Sequence, residues 1–121
     1  MISTRTHGMM DYLIGILLIL APFVLGFATG GPEMWVPIII GAAIILYSLM
    51  TAYELGASNV ISMPAHLWMD MIGGLVLALS PWIFGFSDVV FWPHLIVGVL
   101  EIGTALMTER VPHREPHRAH A

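Results

Sequence analysis

Six residues recur in the same order along this chain of 121 residues. The first set is His7, Asp11, Gly15, Leu18, Pro22 and Gly26. The second is His66, Asp70, Gly74, Leu77, Pro81 and Gly85, each 59 positions after its counterpart. The internal steps of four, four, three, four and four place the side chains of each set on one face of an α-helix. The residues between them drift. Two helices that keep one face within one chain use it for the same purpose, and the simplest purpose is to meet each other. The repeat extends beyond the stripe: ten of the 25 positions of 3–27 are identical in 62–86. Seven of the 17 positions of 35–51 are identical in 92–108 at an offset of 57, among them Trp35/Trp92, Gly41/Gly98 and Thr51/Thr108. The change of offset makes the first hairpin loop two residues longer.

The solvent of such a chain follows from its apolar content. It is 58% hydrophobic and 10% charged, with a mean hydropathy of +0.88, where soluble domains carry about 25% charged residues. That much apolar surface exceeds what a small soluble core absorbs, so a lipid bilayer is the expected surrounding. A net charge of −4 with only four scattered arginines and no lysine excludes nucleic acid as a partner. Without cysteine there are no disulfides, thiolate metal sites or cysteine nucleophiles.

Ser3 is a plausible N-cap for a first helix from about Thr4 to about Phe27. No charge interrupts residues 12–32, enough for one span. The opening imitates a signal peptide, but the pattern returns from Ser62, where none can stand. Pro22 is expected to kink or end this helix, and Pro81 the third. A second helix is expected from near Trp35 to about Tyr53, with Pro37 in its first turn. The third runs from a Ser62 cap to about Phe86, and the fourth from near Phe91 to near Glu109. The predicted fold is an all-α membrane protein. Its four transmembrane helices form two parallel two-helix repeats (3–53 and 62–110) related by a pseudo-two-fold along the membrane normal. They make one domain over 1–110, followed by a disordered cytoplasmic tail over 111–121. Arg5 lies on the N-terminal side and Arg110, Arg114 and Arg118 follow the fourth helix, so both termini are expected in the cytoplasm.

The stretch Ser80-Pro81-Trp82-Ile83-Phe84-Gly85-Phe86 resembles the bacterial SPW repeat family. Ala21-Pro22-Phe23-Val24-Leu25-Gly26-Phe27 is the weaker first copy. The pairs His7/Asp11 and His66/Asp70 and the segment from Trp92 to Gly98 also fit, and the resemblance covers most of 3–110. It implies a small bacterial inner-membrane protein with two repeats of two spans, and it implies no reaction or ligand. Ala-Pro-Phe in the first copy means that serine and tryptophan are not both indispensable in each repeat.

Two constellations could carry chemistry. His7/Asp11 and His66/Asp70 each present an imidazole and a carboxylate on one face. If the repeats pack together, all four converge near the cytoplasmic end, with Gly15 and Gly74 one turn deeper bringing helices 1 and 3 close. One reading is a structural clamp, His7 to Asp70 and His66 to Asp11. A second is a tetrahedral Zn²⁺ site, since His-x-x-x-Asp pairs on facing helices resemble the local pattern of cation diffusion facilitators. A third is bis-histidine ligation of haem b. Glu101 lies mid-span in helix 4, where its repeat counterpart is Ile44, and an ionisable group at that depth is a functional hypothesis by default. It shares a small, polar stripe with His94, Gly98, Ala105 and Thr108. The plain reading is a protonated carboxyl hydrogen-bonded to Tyr47, Ser48, Ser80 or Thr104, and the sharper one a proton carrier. No Ser-His-Asp arrangement or phosphate loop appears, and the soluble segments are too short for a catalytic domain. The expected function is therefore a non-enzymatic structural or accessory subunit, without cofactor, packing against other membrane proteins or itself. The alternative is metal, proton or haem handling by the His/Asp cluster and Glu101.

Overall fold

Ser3 takes an extended backbone conformation and its hydroxyl accepts the Thr6 N–H at 3.1 Å, which starts the first helix, α1 (Thr4–Val24). Ser62 does the same for Ala65 at 3.2 Å and starts α3 (Met63–Ile83). The computed structural model describes residues 1–112, and the expected disordered tail over 111–121 lies almost wholly outside them. Between these helices stands α2 (Pro32–Leu49), and after them α4 (Trp92–Met107). Three of the four, α1, α2 and α3, are long and apolar enough to cross a membrane, and α4 is a shorter apolar helix of 16 residues.

Both α1 and α3 stop three residues before the expected Phe27 and Phe86, for one reason. Gly26 and Gly85 adopt left-handed backbone angles (φ 83° and 73°). The chain reverses there, and the N–H groups of Phe27 and Phe86 return to the carbonyls of Pro22 and Pro81 at 2.9 and 2.7 Å. Each phenylalanine is thereby tucked under its own helix end, 4% and 3% exposed. Pro22 and Pro81 thus sit in the last turn and mark where the helix ends. The α2 helix begins earlier than expected, because Pro32 occupies its first turn behind Gly31. Pro37 is therefore inside the helix and not in its first turn.

Packing is tightest within each hairpin: α1 lies along α2 and α3 along α4, while α2 also touches α3 and α1 touches α4 more lightly. A Cβ on Gly15 would meet the Gly41 carbonyl oxygen at 2.9 Å, and one on Gly41 would meet the Gly15 oxygen at 2.6 Å. Gly74 and Gly98 repeat the arrangement at 2.7 and 2.5 Å. This corrects the expectation that Gly15 and Gly74 bring α1 and α3 together. Each glycine admits the backbone of its own hairpin partner.

One end of the bundle gathers both termini. Ile2 pairs with Thr108 and Thr51 with Ile61, each as a parallel bridge. The other end holds the two hairpin turns, where His94 lies between the rings of Phe27 and Phe86, with ring centroids 5.4 and 4.9 Å away. Leu18, Ile44 and Leu77 form the apolar centre between these ends.

Candidate functional site

Just inside the terminus-bearing end, α1 and α3 bring their polar pairs together. His7, Asp11 and His66 are fully buried and Asp70 is 1% exposed. The His7 Nε2 atom lies 2.5 Å from Asp70 Oδ2 and 3.1 Å from Asp11 Oδ2. The His66 Nε2 atom lies 2.7 Å from Asp11 Oδ2 and 3.3 Å from Asp70 Oδ2. The shortest contacts therefore cross between the repeats. Four ligand-type atoms, one from each residue, stand within 4.8 Å of one another. The two imidazoles meet edge to face, 5.5 Å apart.

Two threonines fix the protonation of the rings. The Thr108 hydroxyl donates to the Thr104 carbonyl at 2.5 Å, and Thr51 donates to the Tyr47 carbonyl at 2.6 Å. Each hydroxyl proton is thus committed, so each oxygen can only accept from the imidazole beside it. His7 Nδ1–H donates to Thr108 at 2.8 Å, and His66 Nδ1–H donates to Thr51 at 2.9 Å. Both Nε2 atoms then face carboxylate oxygens, and each short Nε2···Oδ2 contact holds a shared proton. Tyr47 completes the cluster by donating to Asp70 Oδ1. Tyr53, in the 50–62 connection, covers His66 at a ring distance of 5.7 Å. Burial pushes the Tyr53 hydroxyl above its ordinary range, so it stays a neutral phenol. Nearer the helix start, Thr4 donates to both carboxylate oxygens of the buried Glu54 at 2.7 and 2.8 Å.

Glu101 is 1% exposed and sits beside Gly74, one turn beyond Asp70. It interacts electrostatically with Asp70 and Asp11. Neither of its oxygens has a hydrogen-bond partner of normal geometry among the described residues, and neither does Asp11 Oδ1. Of the expected partners, Tyr47 serves Asp70, Ser80 the Leu77 carbonyl and Thr104 the backbone oxygen of Glu101, and Ser48 makes no hydrogen bond to it. That expectation is corrected. Glu101 belongs to the His/Asp cluster, within hydrogen-bonding reach of the Asp11 and Asp70 carboxylates, and not to the expected hydroxyls. His94 stands apart from it, at the opposite end, with Nε2–H donating to the Glu33 carbonyl at 2.9 Å.

Sequence reasoning missed Thr51, Thr108 and Tyr47 as members of the cluster. The signal for the threonines was present, since Thr51/Thr108 is an identical pair in the second repeat segment. The two imidazoles are already seated on carboxylates at full burial, which leaves no room for a porphyrin between them.

A family model described as the SPW repeat domain matches residues 5–108. No curated protein and no solved structure matches the chain.

Proposed function

The chain belongs to the SPW repeat family, and from that premise we propose that it is a non-enzymatic accessory subunit of the bacterial inner membrane. In this reading it crosses the bilayer four times with both termini in the cytoplasm. Its two repeats are related by a pseudo-two-fold along the membrane normal. The reading rests on one observation: the acidic and histidine side chains of the helices turn inward while large apolar ones cover the outside. Leu13 and Ile16 of α1, Ile39 of α2, Ile72 of α3 and Ile96 of α4 are all exposed. A surface of this kind has nothing to offer a polar substrate. It has four lateral faces to offer lipid, another membrane protein or a second copy.

The reciprocal pattern supports the two-fold: His7–Asp70 mirrors His66–Asp11, His7–Thr108 mirrors His66–Thr51, and Gly15–Gly41 mirrors Gly74–Gly98. The placement of α4 supports a fourth span. Its first turn reaches Glu33 at the hairpin end, and the residue after its last turn, Thr108, pairs with Ile2 at the terminus end. Sixteen residues at a rise of 1.5 Å make about 24 Å. That is short of a 30 Å hydrocarbon core, and a locally thinner bilayer accommodates the difference.

The test places a photoreactive side chain at Ile16, Ile39, Ile72 or Ile96, one per helix, in living cells. An accessory subunit gives a discrete protein adduct from one or two faces and lipid adducts from the others. Lipid adducts alone from all four positions would sink the proposal.

A further inference from the structure

The hydroxyl and Nδ1 protons around the two aspartates are already committed. The protons of Thr51 and Thr108 go to backbone carbonyls, the Nδ1 protons go to those threonines, and Tyr47 serves Asp70 Oδ1. Glu101, 1% exposed, lies within hydrogen-bonding reach of the Asp11 and Asp70 carboxylates.

The four central atoms form a compact set of metal-ligand type. Two Nε2 and two Oδ2 atoms alternate around a ring whose sides are 2.5, 3.1, 2.7 and 3.3 Å. A tetrahedral ion with bonds of about 2.0–2.2 Å sets neighbouring ligand atoms roughly 3.3 Å apart. Two sides of the ring are close to that value, and the others reach it by a side-chain movement of under about 1 Å. Thr108 and Thr51 accept from both Nδ1–H groups, which aims both Nε2 lone pairs at the centre. A ligating histidine has this outer hydrogen bond as a rule.

We propose that His7, Asp11, His66 and Asp70 bind one divalent transition-metal ion of the zinc class through these four atoms. Two imidazoles favour a borderline-soft ion over magnesium or calcium. The ion replaces the two protons shared across the short Nε2···Oδ2 contacts. Two positive charges enter as two protons leave, so the buried charge is unchanged. Bound there, it ties α1 to α3, whose backbones do not pack closely. The proposal does not depend on the accessory role, which concerns the outer faces of the helices.

Metal uptake by the full chain, purified in detergent and stripped with a chelator, tests it. The probes are Zn²⁺ and Co²⁺, with Mg²⁺ as the contrast. A variant with His113→Ala, His117→Ala and His120→Ala removes the imidazoles beyond the described residues as competing ligands. The expected result is one Zn²⁺ per chain in both wild type and that variant, and the intense visible bands of four-coordinate Co²⁺. Mg²⁺ in excess should not displace either ion. Asp11→Asn should lose the cobalt bands. If that variant does not fold, Thr108→Val, which removes only an outer partner, should weaken Zn²⁺ binding about 10- to 100-fold. Two results overturn the proposal: helical, monodisperse wild type that takes up neither ion, or uptake that vanishes with the three tail histidines. Affinity unchanged in a folded Thr108→Val protein overturns the geometry assigned to the site.

Discussion

Several side chains here answer to prolines. Pro81 has no N–H for the Leu77 carbonyl four residues back, and the Ser80 hydroxyl donates to that oxygen at 2.7 Å. The serine before the proline is thus the repair of the bond the proline breaks. Ser80→Ala should lower stability by about 0.5–1.5 kcal/mol and Ser80→Thr by less, measured by denaturant unfolding in detergent. Equal losses would remove the hydroxyl from the account. Pro37 likewise frees the Glu33 carbonyl, and His94 Nε2–H reaches it from α4 at 2.9 Å. His94→Leu should therefore cost more in the native background than in Pro37→Ala, where the new N–H reclaims the oxygen. A double-mutant cycle should show coupling of about 1 kcal/mol, and strict additivity would refute the pairing. Pro37 and His94 are counterparts in the two repeats, so the sequence displayed both residues in register. It could not show that one serves the other, because that bond depends on how α4 leans on α2. The crossed His/Asp pairs were legible, residues and pairing alike, because the repeat sets both pairs in register. Their threonine partners were not, since a hydroxyl's role depends on where its proton goes.

At the level of the helix, one stripe turns out to serve two neighbours. Helical spacing says that His7, Asp11 and Gly15 share a face, but a face is wide enough to meet more than one partner. In α1 the glycine meets α2, while the histidine and aspartate reach across to α3. Periodicity therefore identified the contact residues and could not identify the contacted helix. Adjacent glycines in α3 provide a sharp test. A Cβ on Gly74 would lie 2.7 Å from the Gly98 carbonyl oxygen, a backbone atom that cannot yield alone, whereas a Cβ on Gly73 meets nothing within 4 Å. Gly73→Ala should be neutral or stabilising by up to about 1 kcal/mol, from helix propensity alone. Gly74→Ala should cost about 1–3 kcal/mol, the usual range for forcing extra volume into a packed contact. Thermal unfolding of the two variants side by side decides it. If Gly74→Ala matches Gly73→Ala, the hairpin helices are not in backbone contact there.

For the molecule as a whole, the number of helices was legible because uncharged stretches and turn residues alternate so plainly. The closure of one end was not. Ile2 takes a hydrogen bond from Glu109 N–H at 2.9 Å and gives one to the Met107 carbonyl at 2.8 Å. These isolated backbone contacts leave no mark in residue type. They place Arg5 and Arg110 at the same end of the bundle as the 50–62 connection, while the opposite end carries exposed Trp35, Trp82 and Trp92. Arginine is retained on the cytoplasmic side during insertion, and tryptophan settles at the interfaces. Arg5 in the first turn of α1 and three arginines after α4 predict one orientation, which would put the His/Asp cluster toward the cytoplasmic side. A reporter fused after Glu109 and another inserted between Asn59 and Val60 should both signal cytoplasm, whereas one inserted at Asp88 should signal periplasm. Reversing the charge bias should reverse the result. Arg5→Glu together with Arg110→Glu, and lysines added beside Asp88, should shift a measurable share of the Glu109 reporter to the periplasm. If the reporters at 59 and 109 fall on opposite sides, α4 does not cross, and a three-span protein replaces the four-span one.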